Sequence, residues 1–369
     1  MVPPASNATL QVALLVVSAT LLLLVVAIAV RRTYREAANR RRAEREGRLR
    51  PMLMRCLAAD EPDLAMLDGF AGGDVAVLEA LVWNMLSKVR GTARETLTAW
   101  LVGRGAVANA RRRTRSASAV ARARAAEQLG AASARDAVPD VVPLLGDRHA
   151  EVRIVAARAL GKIGSADAVA PLLRSVDGPR SVPVSLVAMA LLHIGPEVVD
   201  PLTKALGDRS PGVRAVSAEL LGLHGVFAAA RWLALLVEHD TSIDVQLAAC
   251  RALGRIGAPQ GVEPLRRAAA ERSCAVAVRE AALVALGHIG GRDALAALQI
   301  ALADDDAGVI ATAAEALAGA GEAGAAILRA AGSGAPVSAL SATIATDWLA
   351  RMELDVSAHR NRGRREVVR

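Results

Sequence analysis

An all-α solenoid is the fold this sequence predicts, on three observations. A six-residue phrase recurs as ALGKIG at 159–164, ALLHIG at 190–195, LLGLHG at 220–225, ALGRIG at 252–257, ALGHIG at 285–290 and ALAGAG at 316–321. Its second residue falls at Leu160, Leu191, Leu221, Leu253, Leu286 and Leu317, with gaps of 31, 30, 32, 33 and 31 residues. A fixed period near thirty marks stacked supersecondary units that bury apolar surface against their neighbours. Other positions keep the same phase. Eight residues before each marker stand Val152, Pro183, Val213, Val245, Val278 and Val309, and a small residue usually stands four before it. Finally, the alternating pattern of half-buried strands is absent.

Each unit reads as two helices. In 137–164 an apolar stretch, AVPDVVPLL, is followed by a polar GDRHA and then by EVRIVAARALGKIG. Val152, Val155, Ala156, Ala159, Leu160 and Ile163 recur at spacings of three and four, the stripe of an amphipathic helix. Asp147 ends the first helix where its carboxylate can cap the second, and Gly164 stands where the second helix should stop. Gly257 and Gly290 hold the same place in later units. Weaker copies at Leu129 and Leu101 extend the array backwards, to about seven or eight units.

The unit at 147–164, with Asp147, Val152, Arg153, Ala156, Ala157, Leu160, Gly161 and Gly164, resembles the HEAT-like repeats of the phycobilin-lyase type. The resemblance covers roughly 74–321. It implies that prolines such as Pro143, Pro171, Pro201 and Pro264 bend the first helices. It also implies that Asp and Arg residues (Asp147, Arg153, Asp208, Arg214, Arg279) form a hydrogen-bond ladder between units. It implies little about function, because such repeats serve lyases, hydroxylases, nucleic-acid enzymes and scaffolds alike.

The beginning of the chain has another character. Residues 10–30 carry no charge and, as a helix, would run about 31 Å, close to the hydrocarbon thickness of a bilayer. No Arg or Lys precedes them, and nine arginines follow within twenty residues, among them Arg31, Arg32, Arg35, Arg40, Arg41 and Arg42. Positive flanks stay inside, so a single-pass inner-membrane anchor with the N-terminus outside and the repeats cytoplasmic is expected. A cleaved signal peptide is the rival, since Ala27-Ile28-Ala29 has the small-x-small form. The uncharged start, the long apolar run and the arginines after it all count against that rival.

The expected organisation is a stub at 1–9, the transmembrane helix at 10–30 and a basic juxtamembrane linker at 31–50. A helical lead-in at 51–73 leads to the array at 74–321, then a capping helix pair at 322–354 and a basic disordered tail at 355–369.

The formal net charge of +8 sits at the ends. Residues 31–55 hold ten Arg against Glu36, Glu44 and Glu46, and 360–369 hold five Arg against Glu366. That leaves the rest slightly acidic. Such ends suit an anionic lipid surface, while a near-neutral array argues against nucleic acid as partner. One stretch departs from this: Arg104, Arg111, Arg112, Arg113, Arg115, Arg122 and Arg124 lie together without an intervening acid. Arg111, Arg112 and Arg115 can share a helix face and are the candidate surface for a partner or a phosphate.

Chemistry is harder to find. No Walker, HExxH, GxSxG or GxGxxG pattern stands in a fitting context, and no His-Glu dipeptide of the kind used by the repeat-containing hydroxylases occurs. His239, between Glu238 and Asp240, reads as a solvated turn residue. Cys56, Cys250 and Cys274 are odd in number and far apart, which argues against both disulfides and zinc. No cofactor or metal is expected. The expected function is a non-catalytic, membrane-held scaffold for a protein partner. A bilin-lyase-like enzyme and a nucleic-acid-binding repeat protein are the rivals.

Overall fold

The computed structural model describes residues 7–57, 64, 67–333 and 338–352, with the side chains at 7–14, 16–19, 35 and 38 outside that description. The tail at 355–369 and most of the stub at 1–9 therefore lie outside the described residues. All regular structure among the described residues is helical. The chain forms two compact units, one ending at Asn109 and one beginning at Ala110.

In the first unit, one helix runs without a break over Asn7–Leu57. It carries Leu15 and the run Leu21–Val30, whose large apolar side chains are exposed. Its later turns bury Leu49 and Leu53. Asp74, in the helix Gly73–Leu86, draws in Arg45 at 3.3 Å and Arg48 at 3.8 Å. The helix Thr92–Gly103 follows; its Trp100 donates to Asp68 at 3.0 Å. Among the described residues no single helix is long and apolar enough to cross a membrane. Much of the expected span at 10–30 falls on the side chains outside the described residues.

The second unit is the solenoid. Its second-position helices are Ala119–Ala131, Ala150–Ile163, Val184–Ile194, Pro211–Leu223, Ile243–Ile256, Val276–Ile289 and Ala307–Gly319. They stack side by side in chain order. The marker leucines 129, 160, 191, 221, 253, 286 and 317 are all fully buried, which is what fixes the period. Between them run shorter first-position helices, six of which open through a 3-10 turn or start directly on a glycine, as at Ala166–Ala168 and Gly291. Gly164 and Gly257 end their helices in the left-handed conformation, at φ 69° and 68°. Gly290 also has positive φ but is otherwise extended, and the next helix starts on the following residue.

The seams between stacked helices follow one rule. The glycine after each marker faces the alanine before the next marker, so closely that a methyl group would collide. An added Cβ on Gly130, Gly161, Gly222, Gly254 or Gly287 would lie 2.6–2.9 Å from the nearest atom of Ala159, Ala190, Ala252, Ala285 or Ala316. Absence of a side chain thus sets the helix spacing.

One seam breaks the rule. Leu192 stands at the glycine place and Leu220 at the alanine place, so Val184–Ile194 and Pro211–Leu223 pack far less extensively than other neighbours. Leu220 is buried, while Leu192, Met189 and Leu223 leave 41%, 55% and 49% of their surface exposed.

The stack closes with the helix Gly321–Gly332 and a further helix at 339–352. Ser341, fully buried, donates to the Leu302 carbonyl at 2.6 Å and docks that last helix.

Candidate functional site

The turns between first and second helices carry the charged chemistry of the array. Arg122 donates through Nε and Nη2 to both oxygens of Asp147, at 2.6 and 2.9 Å. Arg214 does the same to Asp240 at 2.7 and 2.8 Å, and Arg279 reaches Asp304. Each rung joins one unit to the next and is largely shielded from water. The aspartates also brace their own turns, as Asp147 accepts from the His149 amide and Asp240 from the Ser242 amide, both at 2.9 Å.

These partners shift the carboxyls. The Arg122 hydrogen bond outweighs burial and holds Asp147 below the usual carboxylate range. Burial alone would raise Asp240 and Asp304, yet their arginines and the neighbouring amides bring both below it.

The ladder is not continuous. Arg153, expected as a rung residue, has no acid to pair with because Gly178 stands where the next aspartate would be. Its Nε is buried without a hydrogen-bond partner. Asp208, also expected in the ladder, receives no arginine because Val184 occupies that place; its Oδ1 only accepts from the Ser210 amide at 2.8 Å. A third gap holds Gln246, which turns back to the Val237 carbonyl at 3.2 Å. These substitutions were visible in the sequence, one register position at a time.

The arginine cluster is also rearranged by the fold. Arg111 and Arg115 converge on Asp140, at 2.6 and 3.3 Å, so downstream sequence supplies the acid that the cluster itself lacks. Arg122 is a rung, and Arg104 lies over the Trp100 ring at 5.1 Å and beside Asp68 at 3.4 Å. Arg112, Arg113 and Arg124 are exposed and make no ion pair among the described residues. The free positive surface is therefore carried by these three, of which only Arg112 belongs to the expected trio. Of the juxtamembrane arginines, Arg31, Arg40, Arg41 and Arg42 are exposed, and Arg32 pairs with Glu36 at 2.9 Å. The side chain of Arg35 lies outside the described residues.

Two clefts open where rungs are missing. One, of about 690 Å³, is lined by Val142, Leu145, Gly146, Pro171, Arg174, Asp177 and Arg180 among others; Gly146 precedes Asp147, whose carbonyl holds Arg153. The other, of about 530 Å³, is lined by His239, Arg266, Arg267, Glu271 and Cys274 among others, near the Gln246 gap. In it Arg267 pairs with Glu238 at 3.1 Å, and His239 lies 3.9 Å from the same carboxylate. Cys250 is buried, its thiol pushed up to about 12 by desolvation; Cys274 is raised for the same reason. Neither is an activated thiol. Among the described residues no group of three or more His, Cys, Asp or Glu is placed to hold a metal ion.

A family model described as HEAT repeats matches residues 109–191 and 229–318. The interval between the two matches begins at Leu192, where the seam changes. No curated protein matches the sequence. Among solved structures, the chain is similar to human deoxyhypusine hydroxylase, at 24% identity over 66% of this chain and 95% of that one, with a TM-score of 0.31. It is similar also to the CpcE–CpcF complex of phycocyanin lyase from Nostoc, at 23% identity, 67% and 94% coverage, and a TM-score of 0.30. With Kap121p the identity is 12%, the coverage 76% and 38%, and the TM-score 0.46. The matched segments and the stacked helix pairs agree: residues 109–191 and 229–318 match HEAT repeats, and the fold is all-helical among the described residues.

Proposed function

We propose that the protein is a non-catalytic scaffold, anchored in the inner membrane by its first helix and presenting the repeat array to a protein partner in the cytoplasm. The observation that carries this reading is the exposed apolar run at Leu21–Val30, continuous in one helix with the arginines from Arg31 onward. Apolar surface of that extent has no cover among the described residues, and a bilayer would supply one. The following arginines suit the inner, anionic leaflet. Arrays of this kind offer extended surfaces for protein partners, and here Met189, Leu192 and Leu223 are among the exposed apolar side chains.

The test is topology and release together. Tyr34, 75% exposed, is a better reporter position than Cys56, which is buried. In a Tyr34→Cys, Cys274→Ser chain, an impermeant maleimide should label only permeabilised cells. Deleting residues 1–30 should move the array to the soluble fraction with its helix content unchanged. Labelling of intact cells, or an array that stays with the membrane after the deletion, would overturn the reading.

A further inference from the structure

The ladder contains its own controls for what an unpaired rung arginine binds. Arg122 and Arg214 donate through Nη1 to the two carbonyls five and six residues before them, Ser116 and Ala117 in one case, Asp208 and Arg209 in the other. That grip leaves the Nε–Nη2 edge facing the next unit, where a carboxylate accepts both hydrogens. Arg153 is gripped in the same register: Nη1 donates to the Asp147 carbonyl at 2.9 Å and to the Arg148 carbonyl at 3.5 Å. Its fork is therefore aimed like the others, and its Nε has no partner.

The reason lies in the following unit. Its second helix begins late, at Val184 behind Pro183, and the turn 175–183 replaces the aspartate turn. The nearest acid in that turn, Asp177, accepts from the Ser210 hydroxyl instead. Arg180 comes back across the gap and donates to the Gly146 carbonyl at 3.3 Å, one residue from the carbonyl that holds Arg153. Two guanidinium groups thus hang on adjacent carbonyls, and of the two Arg180 lines the cleft together with Arg174. Leu145, Val142 and Pro171 provide an apolar floor beside them.

We propose that this vacant rung is a recognition site for an acidic segment of a partner protein, in which one Asp or Glu takes the place of the missing rung carboxylate. An apolar neighbour of that acid fills the cleft floor. Charge complementarity selects the occupant, because the edge of Arg153 is built to meet a carboxylate, Arg174 and Arg180 line the cleft against one acid, Asp177, and both Asp177 and the nearby Asp147 carboxylate are already engaged. Access is through the turn 175–183, where Asp177, Gly178, Pro179, Arg180 and Ser181 are all exposed. The site deepens the scaffold reading and rests on it.

The experiment uses the full chain in nanodiscs of neutral phosphatidylcholine. A random dodecapeptide display library is selected on the wild type and counter-selected on Arg153→Gln. Recovered peptides should be enriched in Asp or Glu next to an apolar residue. Synthetic versions should lose tenfold or more in affinity against Arg153→Gln and against Arg180→Gln, and equally when the peptide acid becomes its amide. Arg214→Gln is the matched control at an occupied rung: it should destabilise the array around Asp240 and leave peptide affinity unchanged. Peptides without acidic enrichment, no recoverable peptide, or equal binding to Arg153→Gln would overturn the site. None of these outcomes touches the topology and release results, on which the anchoring reading stands or falls separately.

Discussion

Replacing Gly222 by alanine tests whether the missing side chains set the spacing of the stack. A Cβ there would lie 2.6 Å from Ala252 Cα and 2.8 Å from Ala252 Cβ, roughly 1 Å inside ordinary carbon–carbon contact. The nearest atom is backbone, so no rotamer change can relieve it and the two helices have to part. Overpacking of this kind costs about 1–3 kcal/mol, while the better helix propensity of alanine returns about 1 kcal/mol. The net expectation is a loss of about 1 kcal/mol, confined to the two helices concerned. Hydrogen exchange read by mass spectrometry should show amides in 211–256 exchanging about fivefold faster, with distant units unchanged. Ala252→Gly in the same chain should restore protection only in part, because Cα remains. Gly47→Ala is the control: it lies within a helix, and its Cβ would meet nothing within 4 Å. That change should slow local exchange through propensity alone. If Gly222→Ala slowed exchange in the same way, close approach would not be what the glycine provides.

Two further outcomes are expected. Because Asp147, Asp240 and Asp304 ionise more readily when folded than when unfolded, their contribution to stability is complete above about pH 4. It is lost as pH falls through the lower, folded values. Acid titration of helix content should therefore show a transition below about pH 4 that is weaker in an Asp147→Asn, Asp240→Asn, Asp304→Asn chain, and an unchanged transition would refute the assignment. Leu160→Asp places a charge at a fully buried position and should cost several kcal/mol. Hydrogen exchange should rise around 137–195 and hardly at 290–320; a uniform rise would mean that the units are not semi-independent.

The helix pairs, their markers and their terminal glycines could be read from the sequence because each is local and repeated. Leu160 announces its burial through its neighbours at spacings of three and four. What could not be read was pairing across units. Arg111 and Arg115 look like free charge until the fold brings Asp140 beside them, since an acid 25 to 29 residues away leaves no local mark. Arg153 presents the opposite case. Its own helix matches the repeat at every position, and its exceptional state depends on Gly178, a residue of the next unit. The glycine after each marker was legible as a motif, but its role as a spacer against the next alanine depends on geometry between helices.

The seam at Leu192 and Leu220 has a mechanical consequence. A stack whose neighbours are clamped by backbone contact and ion pairs bends as a stiff rod, with strain shared over every joint. Here one joint lacks the glycine contact, and the rungs on both sides of Val184–Ile194 are absent as well. Compliance is therefore concentrated at a single place in the array. A pull applied through a bound partner would flex the stack between residues 194 and 211 before straining any other seam. The blocks on either side would keep their internal spacing, so that bending would be taken up at the seam where Leu192 and Leu220 replace the glycine and the alanine.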